Sequence, residues 1–326
     1  MVKISTAPHM TASHTTQSLM TDVIIALVPS VIAAVLFFGL PALLVIVTAV
    51  AGCILCEYLI ARYLMKITPD IRNGSAAVTG ILLAFNLPSA IPLWMVLIGC
   101  FVSVGIAKMA FGGLGKNLFN PALVGRVFLF ISFPVQMTLW PKPAFLDFFH
   151  ADTQTAATTL GILKHADAQS SATALGALPD YSDMFVGNTG GCLGEVSTLA
   201  IMLGLIYLLY RKVISWHIPF CYLATVFVFT GILWLTTDNP QTDPVTHLLS
   251  GGLMLGAVFM ATDYVTSPMS ANGKIIFGIG CGLLTVIIRL YSLYPEGVSF
   301  AILIMNAFVP LIDNLTRPRV FGKGKR

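Results

Sequence analysis

Residues 80–92 read GILLAFNLPSAIP and residues 256–268 read GAVFMATDYVTSP, two apolar runs that open on glycine and close on proline at the same spacing. The first lies in an apolar segment, 75–88, too short for the roughly 20 residues a helix needs to cross a bilayer. It is expected to be a half-helix ending at NLPSAIP. Each half of the chain then ends in an interrupted segment: NLFNPALVGRVFL with Asn120, and LIMNAFVPLIDN with Asn306 and Pro310. Short, broken helices at matching positions are the pattern of inverted repeats, with ligand or ion sites between them. Glycine and proline are also frequent in ordinary membrane helices, which leaves a repeat-free bundle as the alternative.

Ten apolar segments stand near 23–39, 42–63, 75–88, 91–110, 121–137, 196–213, 217–236, 246–262, 274–291 and 297–313. The chain has 326 residues, 56% hydrophobic and 10% charged, against about 25% charged in soluble domains. Mean hydropathy is +0.87. These values exclude a soluble globular protein and predict an all-α, multi-pass membrane protein of about ten segments in a five-plus-five inverted repeat. Five segments per half is odd, so the halves would insert with opposite orientation. The expected organisation is a tail at 1–22, a first repeat at 23–137, a loop at 138–195, a second repeat at 196–313 and a basic tail at 314–326. The stretch MVKISTAPHMTASHTTQSLMTD lacks a charged region leading into a cleavage site and is expected to be retained.

Basic residues set an orientation. Arg62, Lys66, Arg72, Lys108, Lys116, Arg211, Lys212 and Lys274, with Arg317, Arg319, Lys323, Lys325 and Arg326, all fall on one side if both termini are cytoplasmic, as the positive-inside rule requires. The loop 138–195 then faces outward. It carries Asp147, Asp152, Asp167, Asp180, Asp183 and Glu195 against Lys142 and Lys164.

Among the charged residues in or beside apolar segments, Arg126, Asp263 and Arg289 are costly in lipid. Such groups face a bundle interior, a cavity or an interface. Asp263 and Arg289 lie near segment ends, where snorkelling to the membrane surface is expected. Arg126, after the irregular FNPALVG, either meets a carbonyl-rich or anionic cofactor or ties down free backbone carbonyls. The CILC pair Cys53 and Cys56 sits within VTAVAGCILCEYLIARYL, where cysteine serves as a small packing residue. The six histidines show no metal-ligand spacing, and no dinucleotide or P-loop motif is present. Dinucleotide chemistry must belong to another subunit, and no nucleic-acid partner is expected.

Several stretches in order, TTQSLMTDVIIALVPS, NGSAAVTGILLAFNLP, GKNLFNPALVGRVFLFISFP, GGCLGEVSTLAIMLG, GAVFMATDYVTSPMSANGKIIFGIGCG and YPEGVSFAILIMNAFVPLIDNLTRPRVFG, resemble one family along nearly the whole chain. It contains the RnfD subunits of Rnf ion-translocating oxidoreductases and the NqrB subunits of sodium-pumping NADH:quinone reductases. The short N-terminal tail is closer to the RnfD branch. The resemblance implies electron transfer through flavins coupled to Na⁺ or H⁺ movement across a bacterial or archaeal cytoplasmic membrane. It also implies a subunit not active alone, with RnfA, RnfB, RnfC, RnfE and RnfG, a flavin transferase and membrane lipid as partners.

The resemblance also gives meaning to DAQSSAT, residues 167–173. Members carry FMN on a threonine of an outer loop through a phosphoester, in a motif similar to D-x-x-S-G-A-T. Here Asp167, Ser170, Ala172 and Thr173 match, Ser171 replaces the usual glycine, and Leu175 stands where a second hydroxyl is common. A hydroxyl forms the ester while leaving the ring free, and tethering raises local cofactor concentration. Taken alone, the stretch reads first as an ordinary polar loop with turn-forming Ser and Thr. A rival, Thr158 in TQTAATTLG, lacks the preceding Asp and Ser. The resemblance further implies a second, non-covalent flavin, riboflavin in relatives, among the half-helices, with Asn120 and Arg126 as candidates for lining it. The alternative function is a channel or secondary transporter of urea-transporter-like fold without a redox cofactor, which would have no need for DAQSSAT.

Overall fold

The computed structural model describes residues 15–68, 71–146, 155–165, 178–195, 197–237, 242–292 and 296–317. Among them the structure is helical, without a strand. Helix α1 runs Thr16–Leu59 and is prolonged by a π turn at Ile60–Leu64. Thr15 caps it, its hydroxyl accepting the Ser18 N–H at 3.2 Å. At 1.5 Å per residue so long a helix would cross a bilayer core of about 30 Å twice over. The chain solves this at Gly39, where φ 64 and ψ −147 break the helix just before Pro41. Only glycine adopts that conformation without steric cost. The first two apolar segments are thus one kinked pair of crossings. Both arms finish at the same end of the bundle: Met20 packs on Gly74, and Glu57 reaches neighbouring Ser75 through Lys108.

The next helices are α2 (Ser75–Phe85), α3 (Leu93–Cys100, continued by a π turn at Phe101–Ile106), α4 (Pro121–Ser132) and a short α5 (Pro134–Met137). After α6 (Thr159–His165) and α7 (Tyr181–Val186) come α8 (Thr198–Tyr210), α9 (His217–Thr237), α10 (Pro244–Leu249) and α11 (Leu253–Leu255). A π turn at Gly256–Met260 extends α11, and α12 (Ala271–Tyr291) and α13 (Val298–Leu315) complete the bundle. Helix is found in each of the ten apolar segments. The half-helix expected for the third segment is present as α2, whose 11 residues reach about halfway across. Segments five and six are short as well, with 12 residues in α4 and 13 in α8, and segment eight is broken into pieces.

Close backbone approaches hold the bundle, as expected where lipid removes the hydrophobic drive between helices. Gly204 of α8 lies against the Ala26 carbonyl, where a Cβ would stand 2.5 Å from that oxygen. Cys53 is buried on α1, and both CILC thiols are free, in keeping with packing. Leu43, Val47, Phe101, Ile131, Val228 and Ile287 point outward, giving an apolar belt.

Charge segregates along the bundle axis. At the end reached by Thr16 and Leu64, Arg211 pairs with buried Asp22 at 3.3 Å, and Lys274 donates to Ser215 at 3.2 Å. At the other end, near the Gly39 kink, Ala144 N–H donates to the Phe37 carbonyl at 2.9 Å and Tyr181 donates to Asp243 at 3.0 Å. Exposed Tyr63, Tyr210 and Trp216 ring the first end, and Trp94, Trp234 and Tyr291 the second, matching the aromatic girdles of membrane interfaces.

Candidate functional site

Three helix ends meet inside the bundle. The first is the C-terminus of α2. Asn86 stops the helix, its side chain donating back to the Leu82 carbonyl at 2.6 Å. The carbonyls of Phe85 and Leu87, freed by the break, accept N–H groups from Gly194 at 2.9 Å and Leu193 at 3.1 Å. The segment GGCLGE therefore enters the bundle to satisfy a backbone that lipid could not. A Cβ on Gly194 would stand 2.5 Å from Phe85 Cβ, so glycine is required for the approach.

The second is the N-terminus of α4. Asn120 caps it, with Oδ1 accepting the N–H groups of Ala122 at 3.1 Å and Leu123 at 3.4 Å, and Pro121 follows at the first helical position. Its Nδ2 donates to the carbonyl of Met260 at 3.2 Å, the C-terminal end of the broken α11 stretch and the third helix end. Asn306, midway along α13, completes the junction. With its amide oriented to satisfy its neighbours, it accepts the Asn120 N–H at 3.2 Å and donates to the Thr266 carbonyl at 3.1 Å. The Asn residues that mark the final segment of each half are in contact.

On the basic side of this junction lies a recess with a cavity volume of about 80 Å³. Asn117, Asn120, Lys108, Thr79, Thr262 and Asp263 supply its polar groups, and Val78, Leu82 and Phe259 part of its apolar wall. Lys108 is fully buried, its Nζ held by Glu57 Oε2 at 2.6 Å and Ser75 Oγ at 2.7 Å. The Asn120 expectation is thus placed on a cavity wall.

Arg126 is not on that wall. Its Nη1 donates to Asn86 Oδ1 at 2.6 Å, and it forms an ion pair with Glu296. A carboxylate and an amide, rather than backbone carbonyls, occupy its guanidinium. Arg289 corrects the snorkelling expectation. It is 5% exposed, and donates to the carbonyls of His247 at 2.6 Å and Ser250 at 2.9 Å. These are carbonyls at the C-terminal end of α10, which a cation satisfies well. A window of hydropathy could not see this, because α10 ends in mid-chain and needs a donor from another helix. Asp263, partly exposed, lines the recess.

Asp167, Ser170, Ala172 and Thr173 lie outside the described residues. The rival Thr158 lies within them, and its hydroxyl accepts the Gly161 N–H at 3.1 Å at the start of α6. The structure also gathers a group that spacing did not reveal: ligand atoms of Cys192, Glu195 and Glu296 lie within 4.8 Å of one another. A hundred residues separate Glu195 from Glu296, so only the fold unites them.

Comparison with known proteins agrees with the residue-level resemblance. Residues 3–322 match the model of the NQR2, RnfD, RnfE family. The chain is 45% identical to the D subunit of the Na⁺-translocating ferredoxin:NAD⁺ oxidoreductase complex of Acetobacterium woodii, covering 99% of this chain and 96% of the relative. It is likewise 45% identical to the D subunit of the proton-translocating ferredoxin:NAD⁺ oxidoreductase complex of Clostridium ljungdahlii, over 98% and 96%. Identity is 37% with the D subunit of the ion-translocating oxidoreductase complex of Escherichia coli, over 99% of both chains. With a family match over almost its entire length, this chain belongs to the NQR2, RnfD, RnfE family.

Proposed function

We propose that this chain is the D-type membrane subunit of a complex that couples electron transfer between ferredoxin-class and NAD-class carriers to the movement of Na⁺ or H⁺. The observation that carries this is 45% identity, nearly end to end, with D subunits named for that reaction. The chain is a multi-pass membrane protein and a subunit of a translocase; its work depends on the other subunits, for which the family pattern gives RnfA, RnfB, RnfC, RnfE and RnfG. We read residues 23–137 and 196–313 as inverted repeats joined by an outward loop at 138–195, with both termini cytoplasmic. The segregation of Arg and Lys to one end of the bundle supports that orientation.

Within this reading FMN is esterified to Thr173 by a flavin transferase, with Asp167, Ser170 and Ala172 completing the recognised motif. A bound flavin supplies one- and two-electron chemistry, and the protein's part is to place the ring and set its surroundings. The recess beside Asn120 suits a second, non-covalent flavin such as riboflavin. Asn120, whose Oδ1 already caps α4, has a second Nδ2 hydrogen for the polar edge of a planar ring, Asn117 Oδ1 stands beside it, and the apolar wall receives the ring's face. Arg126 stands one layer away, positioning the α2 break through Asn86 rather than lining that recess.

The test is flavin fluorescence of the denatured polypeptide on an acid-fixed gel, from cells that contain the flavin transferase. Fluorescence should vanish in Thr173→Ala and persist in Thr158→Ala. A dark band from the parent chain refutes the covalent assignment and favours the channel or transporter alternative. Fluorescence persisting in Thr173→Ala moves the ester elsewhere.

A further inference from the structure

Helices α9 and α12 both start at the basic end of the bundle, and glycine brings them close. A Cβ on Gly278 would stand 3.0 Å from Cys221 Cβ, and one on Gly282 2.7 Å from Thr225 Cβ. The tight contact closes the floor between the helices and leaves a trough on their outer side. Phe220, Ala224, Val228 and Ile232 form one wall, and Ile279 and Leu283 the other. The four on α9 recur every fourth residue and so stand in one row. Thr225 Oγ1 donates within its own helix, to the Cys221 carbonyl at 2.7 Å, so the surface offered is hydrocarbon. The trough holds about 410 Å³. From Phe220 to Ile232 a helix rises about 18 Å, close to one leaflet's half of a hydrocarbon core of about 30 Å.

The basic end of the trough has a different chemistry. Trp216, just ahead of α9, is exposed, meets Phe220 edge-on with ring centres 5.8 Å apart, and stacks on His217 at 4.4 Å. A tryptophan so placed marks the headgroup level of a bilayer. Lys274, in the first turn of α12, reaches across to Ser215, donating from Nζ to Oγ at 3.2 Å. Lys212 is exposed on the same connection. Arg211 beside it is neutralised by Asp22, but among the described residues no carboxylate pairs with Lys212 or Lys274. Two positive charges, a hydroxyl and an indole thus stand at the headgroup end of an apolar slot.

We propose that this trough is a binding site for one anionic phospholipid, with an acyl chain lying between α9 and α12 and the phosphate against Lys274, Ser215 and Lys212. Charge complementarity selects this occupant. A transmembrane helix of another subunit, about 10–12 Å across, would cover the trough and leave both lysines without a counter-charge. A zwitterionic lipid fills the slot equally well but brings no net charge, so the mark of the site is selectivity. Each lysine near the headgroup should favour the anionic lipid by about fivefold. The inference needs a membrane-spanning chain and neither a flavin nor electron transfer, so it succeeds or fails separately from the in-gel assay of Thr173.

The experiment is photolabelling of the intact complex in detergent with phosphatidylglycerol that carries a diazirine in one acyl chain, followed by peptide mapping of this chain. Label should fall on peptides spanning 217–232 and 275–291. Unlabelled phosphatidylglycerol should compete at concentrations about tenfold or more below those of phosphatidylcholine. Lys274→Gln, on a partly exposed residue and expected to fold, should raise the competing phosphatidylglycerol concentration about fivefold and leave that of phosphatidylcholine unchanged. Ala224→Trp fills the trough from its outer side and should remove the label. Equal competition by the two lipids, or competition unaltered in Lys274→Gln, means an unselective lipid coat and overturns the site. Absence of label from both peptides overturns it as well; if Ala224→Cys then cross-links to another subunit, the occupant is a transmembrane helix.

Discussion

Replacing Lys108 by Met should be among the most damaging single changes in the molecule, and its partner in the ion pair should rescue it. Lys108 and Glu57 have side chains only 2% and 10% exposed and meet at 2.6 Å, joining the end of α1 to the end of α3. Lys108→Met leaves the Glu57 carboxylate buried with its counter-charge gone, which costs about 3–5 kcal/mol. At the roughly 2 °C per kcal/mol of large domains, the apparent midpoint of heat inactivation should fall by about 6–10 °C. Ser75 is not orphaned by the change, since its hydroxyl still donates to Asn73 Oδ1 at 2.8 Å. The loss is therefore almost wholly that of the stranded carboxylate. Lys108→Met combined with Glu57→Gln removes the charge altogether and should recover more than half of the shift. Arg62→Met, on an exposed residue at the same end, serves as the control and should move the midpoint by no more than about 1 °C. The assay is loss of the monodisperse size-exclusion peak of the detergent-solubilised complex at a fixed heating rate, because such unfolding is irreversible. A single variant within 1 °C of the parent, or a double variant no better than Lys108→Met, would refute the claim that this buried pair holds the two helices.

Other expectations are as direct. Gly204→Ala places a methyl 2.5 Å from the Ala26 carbonyl and 2.8 Å from Phe259 Cζ, an overpacking worth about 1–3 kcal/mol, visible in the same heating assay. Asn120→Ala removes an N-cap and its link to Met260, costing about 0.5–2 kcal/mol, and should lower non-covalent flavin per complex after solvent extraction, whereas Arg126→Ala should leave direct lining contacts intact; flavin content unchanged in Asn120→Ala removes that residue from the site. Burial pushes the Asp243 carboxyl up, but hydrogen bonds from the Thr246 hydroxyl and N–H and from Tyr181 outweigh it, and the group lies below the usual carboxylate range. A depressed value stabilises the folded state above the unfolded pKa of about 3.9 and is lost as pH falls through the folded value. The midpoint difference between parent and Asp243→Asn should accordingly stay flat from pH 5 to 8 and shrink below about pH 4; a difference that grows in acid would reverse the sign and sink the assignment.

Composition and hydropathy alone establish a helical membrane protein with apolar segments at ten places, because 3.6-residue winding and a hydrocarbon core of about 30 Å leave few other ways to place such runs. Ordered motifs that no single physical pattern supplies gave the family, and the proposal for Thr173 rests on that resemblance alone. NLPSAIP was legible as a helix break because Asn86 and Pro88 announce themselves locally, and Asn120 before Pro121 reads as a cap for the same reason. Where those breaks go is settled by the folded bundle. That Asn120 meets Met260 and Asn306, that Gly194 satisfies Phe85, that Arg126 finds Glu296 and Arg289 turns inward to α10, and that Glu195 lies beside Glu296 are contacts between residues far apart in the chain. Inside a membrane every freed carbonyl and every buried charge must find a partner in the protein, and local sequence states the need without naming the residue that meets it.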